Sequence, residues 1–276
     1  MGWQWGGGWL AAAGFSDFAG STLVHSTGGA AALAGAIILG PRLGRFTKSG
    51  SPAPLKPFAA SSIPLVTIGI FILWLGWFGF NGGSQLAMGT AVDAIAVSTI
   101  FMNTFLAGAG GVMAAAFTTR LGFGKTDVIQ MLNGCIGGLV VITAEPLMPS
   151  PIAAILISAV GGVIVVFGTK LLFSMKIDDV VGAVPAHLFA GIWGTLAVPI
   201  TNPDISFGAQ LLGVISINAT TNTKAFTEMT PRTCAPNETS EFVIGTANVP
   251  QIPANKCAGT APTTSSIFNA NSILVP

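Results

Sequence analysis

The sequence predicts an all-α, polytopic membrane helix bundle. Three observations carry this. Of 276 residues, 51% are hydrophobic and only 8% charged, against roughly 25% charged in a soluble domain. The mean hydropathy is +0.74. Apolar runs long enough for about 30 Å of hydrocarbon recur along the chain, and 36 glycines suit helices packed through small residues. A net charge of +1, with no compensating basic cluster, argues against a nucleic-acid partner. No CxxC or HExxH spacing points to a metal, and no cofactor is implied.

Residues 1–16 are rich in Trp and Gly, with Trp3, Trp5 and Trp9 grouped as at a membrane–water boundary. MGWQWGGGWL lacks the positive start and longer apolar run of a signal peptide. Spans are predicted at about 17–40, 62–81, 92–118, 128–146, 151–173 and 180–200. The link PRLGRFTKSGSPAPLKPF ends the first, because proline and glycine cannot continue a helix there. Arg42, Arg45, Lys48, Lys56, Arg120, Lys125, Lys170 and Lys176 fall on one set of alternate loops, and the opposite set has no Lys or Arg before Lys224. The positive-inside rule then puts the start of the first span and Trp5 outside, and runs the sixth span the other way.

The transmembrane domain is taken as 1–217. Within it, 207–217 is apolar but too short to span. Residues 218–276, rich in Asn, Thr, Ser and Pro, are expected to form a loosely ordered tail. In an oxidising compartment Cys234 and Cys257 could pair there, and Asn218 and Asn237 carry the glycosylation pattern of a secretory setting.

The chain has two histidines, and each follows an aspartate by eight residues: His25 after Asp17, His187 after Asp179. An ionisable ring inside a span is costly and points to function. At 1.5 Å per residue each ring lies about 12 Å along its helix from its acid. On antiparallel spans in a core of roughly 30 Å, the two depths then differ by about 6 Å, near the midplane. Direct imidazole contact follows if the helices face each other, and inverted repeats with such a site recur among transporters. The bland alternative is that each histidine merely hydrogen-bonds within the bundle. Asp17 and Asp179 are expected to cap helix starts rather than transfer protons.

A third group is LGWFGFNGGS at 75–84, where Trp77, Phe78 and Phe80 precede Asn81 and Ser84 at the outer end of the second span. A hydroxyl beside an aromatic face suits a small cation. An ordinary interfacial aromatic belt is the alternative.

Residues 17–21 (DFAGS), Val24, His25, Gly28, Gly29, Ala32, Leu33 and Gly40-Pro41-Arg42 resemble the signature of the ammonium transporter family (Amt, Mep and Rhesus proteins). WGGGW at 5–9, GWFGFN at 76–81, and Asp178-Asp179 with His187 follow in the family's order, and the likeness covers about 3–215, nearer the Amt/Mep branch. It implies a homotrimer with an apolar pore in each subunit, His25 and His187 as twin pore histidines, and Phe80 and Trp77 as pore aromatics. Trp5 and Ser84 would recruit ammonium, with Asp17 and Asp179 as structural acids. The implied activity is transport that binds ammonium outside and conducts ammonia, serving nitrogen uptake in the plasma or bacterial inner membrane. Implied partners are the bilayer, full-length subunits and a regulatory protein.

By the same resemblance Met1 falls just before the family's fifth helix, so the chain is expected to be a partial fold without the first four. Its tail does not resemble the family's C-terminus. The alternatives are a non-conducting truncated subunit and an ammonium sensor. An intramembrane enzyme is the least favoured reading, because the acids lie more than two turns from the histidines and no nucleophile motif accompanies them.

Overall fold

The computed structural model describes residues 1–46 and 58–229. All elements in this part are helical. In order they are α1 (Trp9–Ala12), a π-helical segment π1 (Ser21–Ser26) leading into α2 (Thr27–Leu39), α3 (Ile63–Gly83), α4 (Ala91–Phe123), α5 (Val128–Ile142), α6 (Pro151–Ser174), a second π-helical segment π2 (Val184–Phe189) leading into α7 (Ala190–Thr201), and α8 (Phe207–Met229). Among the described residues, five stretches are long and apolar enough to cross a membrane: Ser21–Leu39, Ile63–Gly83, Ala91–Phe123, Pro151–Ser174 and Val184–Thr201.

Helix starts are fixed by side-chain caps. Thr90 and Asp93 form a reciprocal capping box at α4. The Asp127 carboxylate accepts the Ile129 and Gln130 N–H groups at α5, and Ser150 with Pro151 opens α6. The centre of the bundle is the meeting of α4, α5 and α6. There Gly111 lies against the backbone of Gly134, and Gly162 against that of Gly111, so that any side chain would collide. Helices in an apolar solvent gain little from hydrophobic burial against each other, and close backbone approach replaces it.

The fourth expected span is the 15-residue α5 with a short turn after it, about 22 Å of helix. It is shorter than a bilayer because it need not meet one: every residue from Gly134 to Pro146 is buried. Helix α3 is the opposite case. Leu65, Ile68, Phe71, Ile72 and Leu75 are all exposed on it, a surface suited to lipid and not to water.

The expected boundary at residue 217 is corrected over the described part of the tail. Helix α8 runs on through Ile217 to Met229. The Thr220, Thr221, Thr223 and Thr227 hydroxyls donate to carbonyls four residues back, so the polar residues sit in a helix without a competing turn. Asn218 is also not a free glycosylation acceptor: it is buried, accepting the Ser26 hydroxyl at 2.7 Å and donating to the Val214 carbonyl. Cys234, Cys257, Asn237 and the tail beyond 229 lie outside the described residues.

Candidate functional site

Two short segments of the chain build the site in the same way. The fully buried Asp17 carboxylate accepts four backbone N–H groups: Gly20 at 3.2 Å and Ser21 at 2.8 Å on Oδ1, Thr22 and Leu23 at 2.8 Å each on Oδ2. These are the donors that a helix start leaves unsatisfied. Asp179 accepts Gly182, Ala183 and Val184 at 3.1, 3.0 and 2.8 Å. Each acid is followed three residues later by a glycine in the left-handed region, Gly20 (φ +109°) and Gly182 (φ +82°), where a side chain would be strained. Each glycine leads into a π-helical segment that carries the histidine. In the first, the His25 N–H donates to the Gly20 carbonyl five residues back, at 2.9 Å. Such wide turns inside helices frequently mark functional positions.

The two histidine-bearing helices run antiparallel and touch through a reciprocal pair of glycines. Gly29, four residues after His25, lies on the backbone of Leu188; Gly191, four residues after His187, lies on Ser21 and Ser26. Buried hydroxyls tie the same crossing, Thr22 to Thr195 at 2.7 Å and Ser21 Oγ to the Gly191 carbonyl at 3.1 Å.

This crossing turns the Nδ1 edges of the two imidazoles toward each other, with 26° between the ring planes. The Nδ1 atoms of His25 and His187 are 3.3 Å apart, and the ring centroids 5.3 Å. A hydrogen bond at that distance requires one Nδ1 to carry a proton and the other to be bare. His25 also stacks on Trp77 (4.9 Å, 15°) and meets Phe80 at a tilt (5.4 Å, 45°). The Trp77 ring is itself held, since its Nε1–H donates to Thr143 Oγ1 at 2.9 Å. The His25 Nε2 is buried without a hydrogen-bond partner among the described residues. His25, His187, Trp77 and Phe80 line one cavity of about 1090 Å³, and Arg42, Arg45 and Phe58 are also on its wall.

Trp5 and Ser84 stand apart from that cavity. Trp5 is 43% exposed, and its indole N–H donates to the Asp17 carbonyl at 2.8 Å. Ser84 caps the end of α3, with its hydroxyl donating to the Phe80 carbonyl at 2.8 Å. Neither side chain hydrogen-bonds the other. Of the expected site residues, the structure therefore gathers His25, His187, Trp77 and Phe80, places Trp5 on the Asp17 turn, and leaves Ser84 one turn beyond Phe80.

Thr22, Thr195 and Gly191 escaped the sequence reading, as did the packing role of Gly29 and the pairing of Asp178 with Arg42 and Arg45, residues named there only for the family resemblance or the loop charge. Part of the signal was present. Asp-x2-Gly-x4-His-x3-Gly occurs twice, at Asp17, Gly20, His25, Gly29 and at Asp179, Gly182, His187, Gly191. The two glycines at fixed offsets would have named both the wide turn and the helix crossing.

With this geometry in place, the comparisons with known proteins are specific. The Ammonium Transporter Family profile matches residues 1–224. The chain belongs to that family. It is an integral membrane protein, as members of the family are. Protein sll1017 of Synechocystis sp. is 47% identical over 219 residues, covering 78% of this chain and 49% of the relative. Ammonium transporter Amt2 of Archaeoglobus fulgidus is 42% identical over 208 residues, covering 72% and 43%. Among solved structures, Sensor Amt Protein superposes with a TM-score of 0.73 at 33% identity, over 80% of this chain and 55% of that one. Candida albicans Mep2 gives 0.72 at 26%, over 82% and 52%. The chain spans about half the length of the curated relatives it matches.

Proposed function

We propose that this chain takes part in ammonium transport, conducting ammonia past His25 and His187. Ammonium gathers outside at Trp5 and Ser84, gives its proton to water on that side, and passes as the neutral amine. Moving an ion out of water into an apolar channel costs far more than moving a small neutral molecule. The neutral amine still needs a hydrogen-bond donor and acceptor on the way, and a pair of neutral imidazoles offers both.

The observation that carries this reading is the 3.3 Å contact between the two Nδ1 atoms, set against the Trp77 and Phe80 rings in a cavity. Exposure of the Trp5 ring favours cation–π attraction at the outer face. Assembly is proposed as a homotrimer, or with full-length subunits. Ammonium-driven pH change in liposomes bearing the purified chain tests the reading. A rate above protein-free liposomes that falls in His25→Ala and His187→Ala is expected, and a rate equal to the protein-free control overturns conduction by the chain alone.

A second reading, a membrane component that binds ammonium without conducting it, is favoured by the likeness to Sensor Amt Protein. Saturable ammonium binding with no flux would select it.

A further inference from the structure

Both histidine helices are tied together a second time, at their inner ends. Arg42, three residues beyond α2, donates to Asp178 from Nε (2.7 Å to Oδ2), from Nη2 (2.9 Å to Oδ1) and from its backbone N–H (3.0 Å to Oδ2). Arg45 Nε lies 3.2 Å from Oδ1 of the same carboxylate. The Asp178 side chain is 1% exposed, so its charge depends on these partners. The Arg45 guanidinium also sits 5.0 Å from the Phe173 ring centroid on α6, and both arginines lie over Phe58.

Asp178 immediately precedes Asp179, the acid that fixes the start of the His187 segment. The arginine end of the tie continues directly from the helix of His25. Two antiparallel helices that touch at one crossing can still rotate about it. A second tie, just past the end of α2 and so about 15 Å of helix from the Gly29–Leu188 crossing, removes that freedom. A bidentate guanidinium–carboxylate pair suits the task because its planar fork fixes direction as well as distance.

We propose that Arg42 and Asp178 are positioning residues, holding the inner ends of the two histidine helices so that His25 and His187 stay in Nδ1 contact. The inference rests on the histidine pair being the working centre. Its test does not depend on transport.

The chain has only two histidines, so ring-15N-labelled protein in lipid gives a spectrum of the pair alone. In the wild type a correlation across the Nδ1–H···Nδ1 bond is expected. Asp178→Asn keeps the shape and loses the charge; Arg42→Lys keeps the charge and loses the fork. Each is expected to abolish or broaden that correlation while helical content by circular dichroism stays at the wild-type level. Retention of the wild-type correlation in both variants overturns the proposal. So does loss of helical content in both, which would make the tie a support of the whole fold. Absence of ammonium flux in the wild type, with the spectra behaving as expected, would instead overturn the transport reading and leave the tie standing.

Discussion

Gly29 packs its Cα directly on the backbone of Leu188, the residue that follows His187. The pair of rings is therefore set by backbone contact and not by side chains reaching across a gap. Gly29→Ala places a methyl group where it would collide with the Leu188 backbone nitrogen, and the helices must part. Overpacking of this kind costs about 1–3 kcal/mol. A lower thermal midpoint in detergent is expected for Gly29→Ala, and likewise for Gly191→Ala. Wild-type midpoints in both would show that the crossing is not tight.

Deleting either imidazole removes one member of a buried pair. Losing a hydrogen-bond partner at a buried polar group is worth about 1–3 kcal/mol, which corresponds to roughly five- to 150-fold in a rate governed by that contact. His25→Ala and His187→Ala should each change ammonium flux or ion selectivity by about this factor in a complete subunit carrying this segment. Unchanged flux and selectivity in both would remove the histidines from the pathway.

Outer recruitment predicts a different kinetic signature. An exposed cation–π contact is worth about 0.5–1 kcal/mol, so Trp5→Leu should weaken apparent ammonium affinity about two- to fivefold. Ser84→Ala should act in the same direction, and both should spare the maximum rate. A fall in maximum rate at constant apparent affinity would count against this role.

The acids are separable by burial. Asp17→Ala would strand four buried N–H groups and is expected to cost more than about 3 kcal/mol, visible as poor recovery of folded protein. Asp179 is a half-buried cap, and Asp179→Ala should cost nearer 1 kcal/mol. Equal losses would contradict the difference in their surroundings.

Acid should release the inner tie. The Arg42 side chain, hydrogen-bonded to Asp178, holds that carboxyl below its ordinary value of 3.8. A carboxyl lowered in the folded state contributes stability that is present above 3.8 and lost as pH falls through the lower folded value. The stability difference between wild type and Asp178→Asn should hold from pH 7 to about 5 and shrink below about 4. A difference constant down to pH 3 would show that the charge is not what stabilises.

The bundle was legible because apolar length is written directly in composition. The histidines were legible by their matched offset from an acid. The wide turns at Ser21–Ser26 and Val184–Phe189 were not, since a bond reaching five residues back leaves no periodic trace in the side chains. The pairing of Arg42 with Asp178 spans 136 residues, and no local pattern encodes a contact at that separation. Residues 218–229 misled because hydroxyl-rich sequence usually signals a loop, whereas here the threonines return their hydroxyls to the helix itself.

The shortness of α5 has a consequence for how the molecule responds to different bilayers. Helices α3, α4 and α6 each keep an exposed apolar side and must adapt by tilting when the hydrocarbon is thinner or thicker than they are. Helix α5, enclosed by its neighbours from Gly134 onward, has no lipid thickness to match. A membrane that tilts the outer helices thus leaves unstretched the α5 helix that packs on the segments of both histidines.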